Sequence, residues 1–248
     1  MGTQLFNQLG VNRMNFLLMM NLIAAPIDCA ETAPAYADTL VQATGASGAG
    51  YGNPINALNG VNGGGANAGS LDVFSLNLAT DGALIASFSQ GLVCNGEGAD
   101  INVFENGFRQ LMTNALFFEP VVVSVSLDGV QYEDFPHEYL GTTSLGSIVD
   151  EKNWVGFAGM TPVLYNEATN NFSVHGVDPL DSARAGGDSF DLDNLPDTDL
   201  GLQIKAQGFR YIKLTGAPKL GFPNSPNSFG GLADIDGIYA KRFRPFVQ

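Results

Sequence analysis

The sequence predicts an all-β domain built as a β-sandwich or jelly roll. At least seven short segments alternate apolar and polar residues, and Gly, Asn and Asp recur between them as turn signals. No long stretch has the spacing of apolar residues that is typical of an amphipathic helix. With 248 residues the chain is long enough for one large β domain that buries a core.

The regular alternation begins after residue 70 and includes two predicted hairpins. Each hairpin is joined by an Asp-Gly pair, which favours the tight turns between antiparallel strands. The second hairpin has apolar residues at alternate positions, so we expect it to be half-buried. The predicted strands are residues 73–78, 83–88, 101–104, 120–126, 130–135, 209–214 and 235–240, with the Asp-Gly turns at 81–82 and 128–129.

The charge balance restricts the partners of the chain. It has 25 Asp and Glu against 11 Lys and Arg, a net charge of −14. Binding a phosphate backbone needs a basic surface, so we expect no nucleic-acid partner. Charged residues make up only 15% of the chain, whereas glycine is abundant with 31 residues. Such a turn-rich, weakly charged composition is common in extracellular β proteins.

The N-terminal region has the pattern of a secretory signal. Arg13 precedes the apolar residues 16–25, and Ala35 and Ala37 fit a cleavage site with small residues. The apolar run is too short to cross a bilayer, so we expect no membrane span in the mature protein and a location outside the cell or at its surface. A retained amphipathic or buried N-terminal helix is the alternative. The resulting division is a signal peptide at 1–37, a Gly/Asn/Ala-rich segment at 38–69 and a β-sandwich at 70–248.

Cys29 and Cys94 are the only cysteines of the chain. They can form a disulfide in an oxidising compartment if the N-terminal region is retained, whereas cleavage after Ala37 leaves Cys94 alone. Neither cysteine has the spacing of a zinc ligand, so the sequence predicts no zinc site.

Two stretches resemble the galactose-binding-like, or discoidin-like, jelly rolls. Residues 123–132 are similar to the hairpin of that superfamily, which has a strand, a Ser-x-Asp-Gly turn and an aromatic residue. Residues 209–214 are similar to its later Arg-Tyr-Ile-Arg-Leu strand. The resemblance implies a galactose-binding-like jelly-roll β-sandwich with a structural calcium ion near one end.

A narrower resemblance covers most of residues 70–240. It is to a family of secreted bacterial cell surface proteins with an Asp-x-x-Val-Phe-Glu-Asn block, which begins here at Asp100. Ile101 replaces the usual Phe of that block, and Ala233 stands where an aromatic residue is common; both departures concern packing. The resemblance implies a surface-located β-sandwich with an undefined binding role. The stretches that carry it are residues 98–108, 119–120, 157–163, 186–192 and 234–236.

Acidic and amide side chains in three segments predict a calcium site, because calcium binds about six to eight oxygen ligands. The spacing is not that of an EF-hand loop, and capping of turns is the alternative role of these side chains. Apolar residues interrupt the aspartates of residues 188–199, so we expect this acidic stretch to pack on the sandwich. The predicted ligands are Asp100, Glu105, Asn106, Asp188, Asp191, Asp234 and Asp236.

The predicted function is non-catalytic binding. Trp154, the only tryptophan, is a candidate to stack on a sugar ring, with core packing as the alternative. Tyr132 and Arg184 are further candidates for ligand contact. No hydrolase or phosphate-binding motif occurs. A pair of glycosidase carboxylates stays open as an alternative, because the distance between two such groups cannot be read from a sequence. We therefore expect an extracellular module that binds a glycan or surface polymer and is stabilised by calcium; the alternative is a self-assembling structural subunit of a cell-surface layer, filament or appendage.

Overall fold

The computed structural model describes residues 29–43, 51–76, 82–224 and 232–246. These residues form a mainly β fold of antiparallel sheets, which confirms the predicted class at this level. None of the helices in these ranges has both the length and the apolar composition needed to cross a bilayer. The apolar run at 16–25 lies outside the described residues.

Strands dominate the described residues, and short helices fill the connections. The strands are β1 (Ala30–Tyr36), β2 (Thr39–Ala43), β3 (Phe74–Ser75), β4 (Ala83–Ser87), β5 (Leu92–Val93), β6 (Ile101–Glu105), β7 (Phe108–Arg109), β8 (Leu116–Phe117), β9 (Val121–Ser126), β10 (Glu133–Asp134), β11 (Glu138–Tyr139), β12 (Trp154–Val155), β13 (Asp188–Phe190), β14 (Tyr211–Gly216) and β15 (Asp234–Arg244). The α-helices are α1 (Leu145–Ile148), α2 (Phe172–His175), α3 (Ser182–Ala185) and α4 (Asp199–Gln207). Single 3-10 turns occur at Pro54–Leu58, Glu151–Asn153, Leu192–Asn194 and Ala217–Leu220.

The first sheet is organised around β15, which is 11 residues long. This strand lies inside the order β1-β15-β6-β13 and also pairs with the short strands β3 and β5. Its register sets Ile238 opposite Val103 of β6, and Tyr239 opposite Tyr36 of β1. Four strands therefore depend on β15 for their ladder hydrogen bonds.

The second sheet has the order β10-β9-β14-β4-β2, with β14 at its centre. Leu214 of β14 lies opposite Leu84 of β4 on one side and opposite Val123 of β9 on the other. Both β4 and β9 are buried along their whole length. The predicted half-burial of β9 is therefore wrong, because the outward-facing Ser124 and Ser126 are covered as well.

The core lies between the two sheets. Its largest apolar cluster includes the fully buried Val103 and Ile238 from the first sheet and Val123 and Leu214 from the second. Burial of each such side chain is worth about 1.5–3 kcal/mol. The two sheets therefore pack face to face as a β-sandwich.

The acidic stretch at 188–199 packs on this sandwich, as predicted. Phe190, Leu192 and Leu195 are buried in the core cluster. Strand β13 at the start of the stretch pairs with β6. The apolar residues between the aspartates thus hold the stretch against the first sheet.

The sheets begin earlier in the chain than the expected boundary at residue 70. Strand β1 lies at one end of the first sheet and β2 at one end of the second. Between them Ala37 is fully buried, and its N–H donates to the carbonyl oxygen of Ile238 at 2.9 Å. Cys29 and Cys94 form a disulfide with their Cα atoms 6.1 Å apart. Cleavage after Ala37 would remove both β1 and this bridge.

The predicted hairpin at residues 81–82 is wrong. Strand β3 pairs with β15 in the first sheet, whereas β4 pairs with β14 and β2 in the second. Both strands are buried on both faces, so packing against different sheets decides their pairing and overrides the local turn signal. Asp81 itself lies outside the described residues.

The hairpin at residues 128–129 is confirmed, with Ser124 of β9 opposite Asp134 of β10. Strands were also predicted correctly at the positions of β6, β14 and β15, with differences only at their ends. Helix α4 was not predicted. The Thr198 hydroxyl caps its first turn by accepting from the N–H of Gly201, and of its residues only Gly201 and Ile204 are buried, so its apolar periodicity is weak.

Replacing both Cys29 and Cys94 by serine is expected to lower the free energy of unfolding by about 2–4 kcal/mol. The bridge closes a loop of 65 residues, and without it the unfolded chain gains conformational freedom. Urea unfolding followed by circular dichroism measures the difference. Dithiothreitol should lower the midpoint of the wild type and leave that of the double variant unchanged. Equal midpoints for the two proteins without reductant would contradict the prediction.

Candidate functional site

The seven predicted metal ligands do not converge on one point. Across residues 29–43, 51–76, 82–224 and 232–246, no group of three or more acidic, histidine or cysteine side chains is arranged to hold a metal ion. Calcium requires several oxygens directed at one position. Most of these side chains bond to backbone N–H groups, the capping role given as the alternative, and the seven-residue calcium site stays a prediction.

Asp100 is an internal anchor. Its fully buried carboxylate accepts from the N–H of Gly96 at 2.9 Å and from the N–H of Leu192 at 2.9 Å, and it pairs with Arg242 at 3.0 Å. Burial raises the pKa of Asp100 to about 7, against the opposing effects of the Leu192 N–H and the Arg242 guanidinium. Both carboxylate oxygens have partners inside the protein, so Asp100 serves the fold.

Asp188 is bound in a similar way. One of its oxygens accepts from the N–H groups of Gly159 and Met160, both at 2.8 Å, and the other accepts from the Thr161 hydroxyl at 2.8 Å. Burial raises the pKa of Asp188 to about 6, although these hydrogen bonds favour the charged form. The residue fixes the loop at 159–161 against β13.

Asp191 and Asn106 also have structural partners. The Asp191 carboxylate caps the 3-10 turn at Leu192–Asn194 by accepting from the N–H of Asp193 at 2.9 Å. The Asn106 amide donates to the carbonyl oxygen of Ser70 at 3.1 Å and accepts from the N–H of the same residue. Both side chains tie turns together and leave little capacity for a ligand.

Glu105 is different because its carboxylate is buried and incompletely bonded. One oxygen accepts from the N–H of Asp234 at 3.4 Å, and Oε2 has no hydrogen-bond partner among the described residues. Burial, together with the carboxylates of Glu119, Asp234 and Asp188, raises the pKa of Glu105 well above its usual range. A Cβ added at Gly159 would lie 3.0 Å from Glu105 Oε2 and 2.6 Å from the carbonyl oxygen of Glu119.

Gly159 therefore packs closely against Glu105 Oε2 and the carbonyl oxygen of Glu119. A buried carboxylate in such a position must be neutral or lie beside a cation. Glu105 and its neighbour Asp234, whose carboxylate accepts from the Ser75 hydroxyl, thus remain the predicted metal ligands with a suitable environment.

Asp236 on β15 is the second buried carboxylate with an unpartnered oxygen. Its Oδ1 accepts from the N–H of Asn62 at 2.9 Å, and Oδ2 has no hydrogen-bond partner within the described ranges. Burial raises the pKa of Asp236 to about 7, and the charge of Asp72 adds to this effect. A proton on this carboxyl group would remove the charge that burial disfavours.

Trp154 and Arg184, two of the three predicted ligand-contact residues, do not share a surface at which a ligand could bind. Trp154 is only 3% exposed; its Nε1 donates to the carbonyl oxygen of Ile148 at 2.9 Å, and its ring packs edge-on against Phe157. Its predicted stacking on a sugar is wrong because neither ring face reaches solvent. Arg184 on α3 is exposed and donates to the carbonyl oxygen of Gly176 at 3.1 Å.

Tyr132, by contrast, belongs to a surface row of alternating rings and cations. Lys213 Nζ lies 4.5 Å from the centroid of the Tyr132 ring. Arg210 Cζ lies 5.3 Å from the Tyr211 ring and 4.8 Å from the ring of Phe246, which is 40% exposed. Both tyrosines are partly exposed, although the Tyr132 hydroxyl itself is buried, and burial raises its pKa. We call these five residues the aromatic-basic row.

Two members of the row lie on the outer face of the second sheet. In β14 the partly exposed Tyr211 and Lys213 alternate with the buried Ile212 and Leu214, so the former pair points away from the core. From the sequence, residues 209–214 were predicted only as a strand of the jelly roll. Its period-two alternation was the signal that could have identified the outward residues.

The loop at 127–132 holds Tyr132 in position. Asp128 accepts from the N–H groups of Val130 and Gln131 at 2.8 and 2.9 Å. Gly129 has a φ of 76°, and a Cβ added there would lie 3.3 Å from the Tyr211 ring. The Asp-Gly turn thus brings the loop onto Tyr211 and sets the Tyr132 ring over Lys213.

Asp236→Asn is expected to change how stability depends on pH. The folded-state pKa is raised from 3.8 to about 7, so the contribution of this carboxyl to stability is lost as the pH rises from about 4 to about 7. Asparagine resembles the neutral carboxyl and should not titrate. One pKa unit is worth about 1.4 kcal/mol, so the variant should gain roughly 2–4 kcal/mol over the wild type between pH 4 and pH 8.

Urea unfolding at both pH values, in buffers with a chelator, measures this gain. The exposed Glu138→Gln is the matched control and should follow the wild type. Parallel curves of stability against pH for the wild type and Asp236→Asn would contradict the prediction.

Comparison with known proteins identifies no relative. No protein-family profile matches the chain, and neither a curated protein nor a solved structure is similar to it. The resemblances to galactose-binding-like jelly rolls and to bacterial cell surface proteins therefore stay predictions, and the case for a function depends on the geometry of the described residues.

Proposed function

We propose that the chain is an extracellular, non-catalytic module that binds a glycan or another surface polymer through the aromatic-basic row. The observation that carries the proposal is the pair of partly exposed rings, Tyr132 and Tyr211, on the outer face of one sheet. Apolar faces of sugar rings pack against aromatic rings, while the sugar hydroxyls need nearby hydrogen-bond donors. The side chains of Arg210 and Lys213 provide such donors.

Two further features support this proposal. The sandwich of two antiparallel sheets is compatible with a jelly roll of the galactose-binding-like type. The Cys29–Cys94 disulfide is a bond that persists in oxidising compartments, which favours a place outside the cytoplasm.

Tyr211→Ala and Tyr132→Ala should each weaken binding to a polysaccharide by about five- to thirtyfold, because the loss of one stacked ring costs about 1–2 kcal/mol. Affinity electrophoresis against a panel of soluble polysaccharides measures the loss. Tyr211→Phe keeps the ring and should retain most of the affinity. Phe172→Ala removes an aromatic ring that is 39% exposed elsewhere and is the matched control.

The alternative, a structural subunit of a surface layer or filament, has its own support. Strands β1 and β2 lie at the ends of the two sheets, and Leu40 and Val41 of β2 are 39% and 46% exposed. A sheet edge with exposed apolar side chains can pair with another copy. Absence of binding to every polysaccharide, combined with polymers that form as protein concentration rises, would contradict the binding module and favour the subunit.

We also propose that calcium stabilises the folded domain beside Glu105. The support is the unpartnered Oε2 of this buried residue together with the neighbouring Asp234 and Glu119. When bound, a calcium ion would neutralise carboxylates that otherwise repel each other at close range.

Calcium at 100 times its Kd should raise the melting temperature of the wild type by about 5–10 °C, since binding only the folded state stabilises it. Differential scanning calorimetry with calcium, magnesium and a chelator measures the shift. Glu105→Gln should fold without calcium and show no shift, while the exposed Glu138→Gln should respond like the wild type. A melting temperature of the wild type that ignores both calcium and chelator would overturn the metal proposal.

A further inference from the structure

The basic residues of the chain are few, and most ion pairs occur away from the aromatic-basic row. Only 11 Lys and Arg face 25 Asp and Glu. The salt bridges of the described residues involve Arg109, Lys205, Lys241 and Arg242. Arg210 and Lys213 take part in none of these bridges.

Arg210 and Lys213 instead have rings as their close partners. The Arg210 guanidinium lies between Tyr211 and Phe246, at 5.3 and 4.8 Å from the ring centroids. Lys213 Nζ lies 4.5 Å from the Tyr132 ring. Over the described ranges neither side chain donates a hydrogen bond or pairs with a carboxylate. An aromatic ring attracts a cation through its quadrupole but leaves the N–H donors available for another partner.

Two carboxylates of the hairpin formed by β9 and β10 have partners of their own. Asp128 accepts two backbone N–H groups and the Ser126 hydroxyl. Asp134 of β10 accepts from the Ser124 hydroxyl at 2.6 Å, in the same cross-strand row as Lys213. Neither aspartate forms a salt bridge with Arg210 or Lys213 among the described residues. In a chain with a net charge of −14, two such cations on one face are a local exception.

We propose that the polymer bound at the aromatic-basic row is anionic, a polysaccharide that carries carboxylate or sulfate groups. This inference rests on the proposed binding function and specifies its ligand class. The planar guanidinium of Arg210 matches either anion with two parallel hydrogen bonds, and the ammonium of Lys213 acts as a second point charge. Tyr132 and Tyr211 pack on the sugar rings between the charged groups.

The overall negative charge of the domain does not oppose this assignment at close range. At physiological ionic strength charges separated by more than about 8 Å are largely screened. Acidic residues beyond that distance therefore contribute little, and the nearby Asp128 and Asp134 are held by the hydrogen bonds described above. Among the described residues, every cation that lies over an aromatic ring belongs to this row. A polyanion that docks on the opposite side of the domain would therefore meet no comparable arrangement there.

The experiment compares matched polymers that differ only in charge. One set is dextran, carboxymethyl dextran and dextran sulfate, and a second pair is polygalacturonate and its methyl ester. Affinity electrophoresis and isothermal titration calorimetry on the wild type should show at least tenfold tighter binding of the charged member in one set. The carboxylated and sulfated dextrans separate the two sources of negative charge.

Arg210→Gln combined with Lys213→Gln should abolish this preference for the charged polymer. Arg210→Lys keeps the positive charge but loses the planar guanidinium, so this variant should lose part of the preference for the charged polymer. Lys152→Gln combined with Lys219→Gln removes two exposed cations elsewhere, so the net charge changes equally while the preference should persist. The melting temperature of each variant reports whether it is folded.

The outcomes separate the inference from the proposed function. The wild type could bind the charged and the neutral polymers with equal affinity, and Tyr211→Ala could lose its affinity for both. That result would overturn the anionic ligand but leave the binding function standing. Equal loss of preference in the two double variants would likewise overturn it, because net charge alone would then explain the effect. Binding of the wild type to no member of either set, nor to the wider polysaccharide panel, would overturn the proposed function itself.

Discussion

The antiparallel hydrogen-bond ladder of β15 is the interaction on which the rest of the structure depends. Strands β1, β3, β5 and β6 all pair with it, and through β6 it supports β13. Its residue Ile238 lies in the core between the sheets, whereas Asp234 lies beside the buried Glu105 and Asp236 is itself a buried carboxyl group. One strand therefore joins the first sheet, the core and the carboxylates into a single unit.

The shortage of cations explains how this protein treats its acidic residues. With 25 Asp and Glu and 11 Lys and Arg, few carboxylates can have a cationic partner. Asp100 has Arg242, but Asp188 relies on backbone N–H groups and a hydroxyl. Glu105 and Asp236 each retain an oxygen without a hydrogen-bond partner among the described residues. Buried carboxylates of this kind destabilise the fold when charged, so protons or a bound cation must compensate them.

The alternation of apolar and polar residues predicted the strands well. It could not predict which strands pair, because long-range packing determines the pairing. Alternation was enough to find β9, β14 and β15, because a period of two is set within each strand. The turn signal at residues 81–82 failed, since the partners of β3 and β4 lie far away in the sequence. The outward direction of Tyr211 was readable from the same alternation, and the burial of Trp154 was one of two open alternatives. The unpartnered oxygen of Glu105 depends on Glu119 and Asp234, which the fold brings together from distant positions.

The pairing of β1 with β15 has a consequence for how the chain folds during synthesis. Residues 30–36 are made early, yet their ladder partner at residues 234–244 is the last of the described strands to be made. Until then, the first sheet lacks its organising strand, and loop closure between distant segments is slow. The ladder of the first sheet is therefore completed only after β15 has been made, however early the other strands of that sheet emerge.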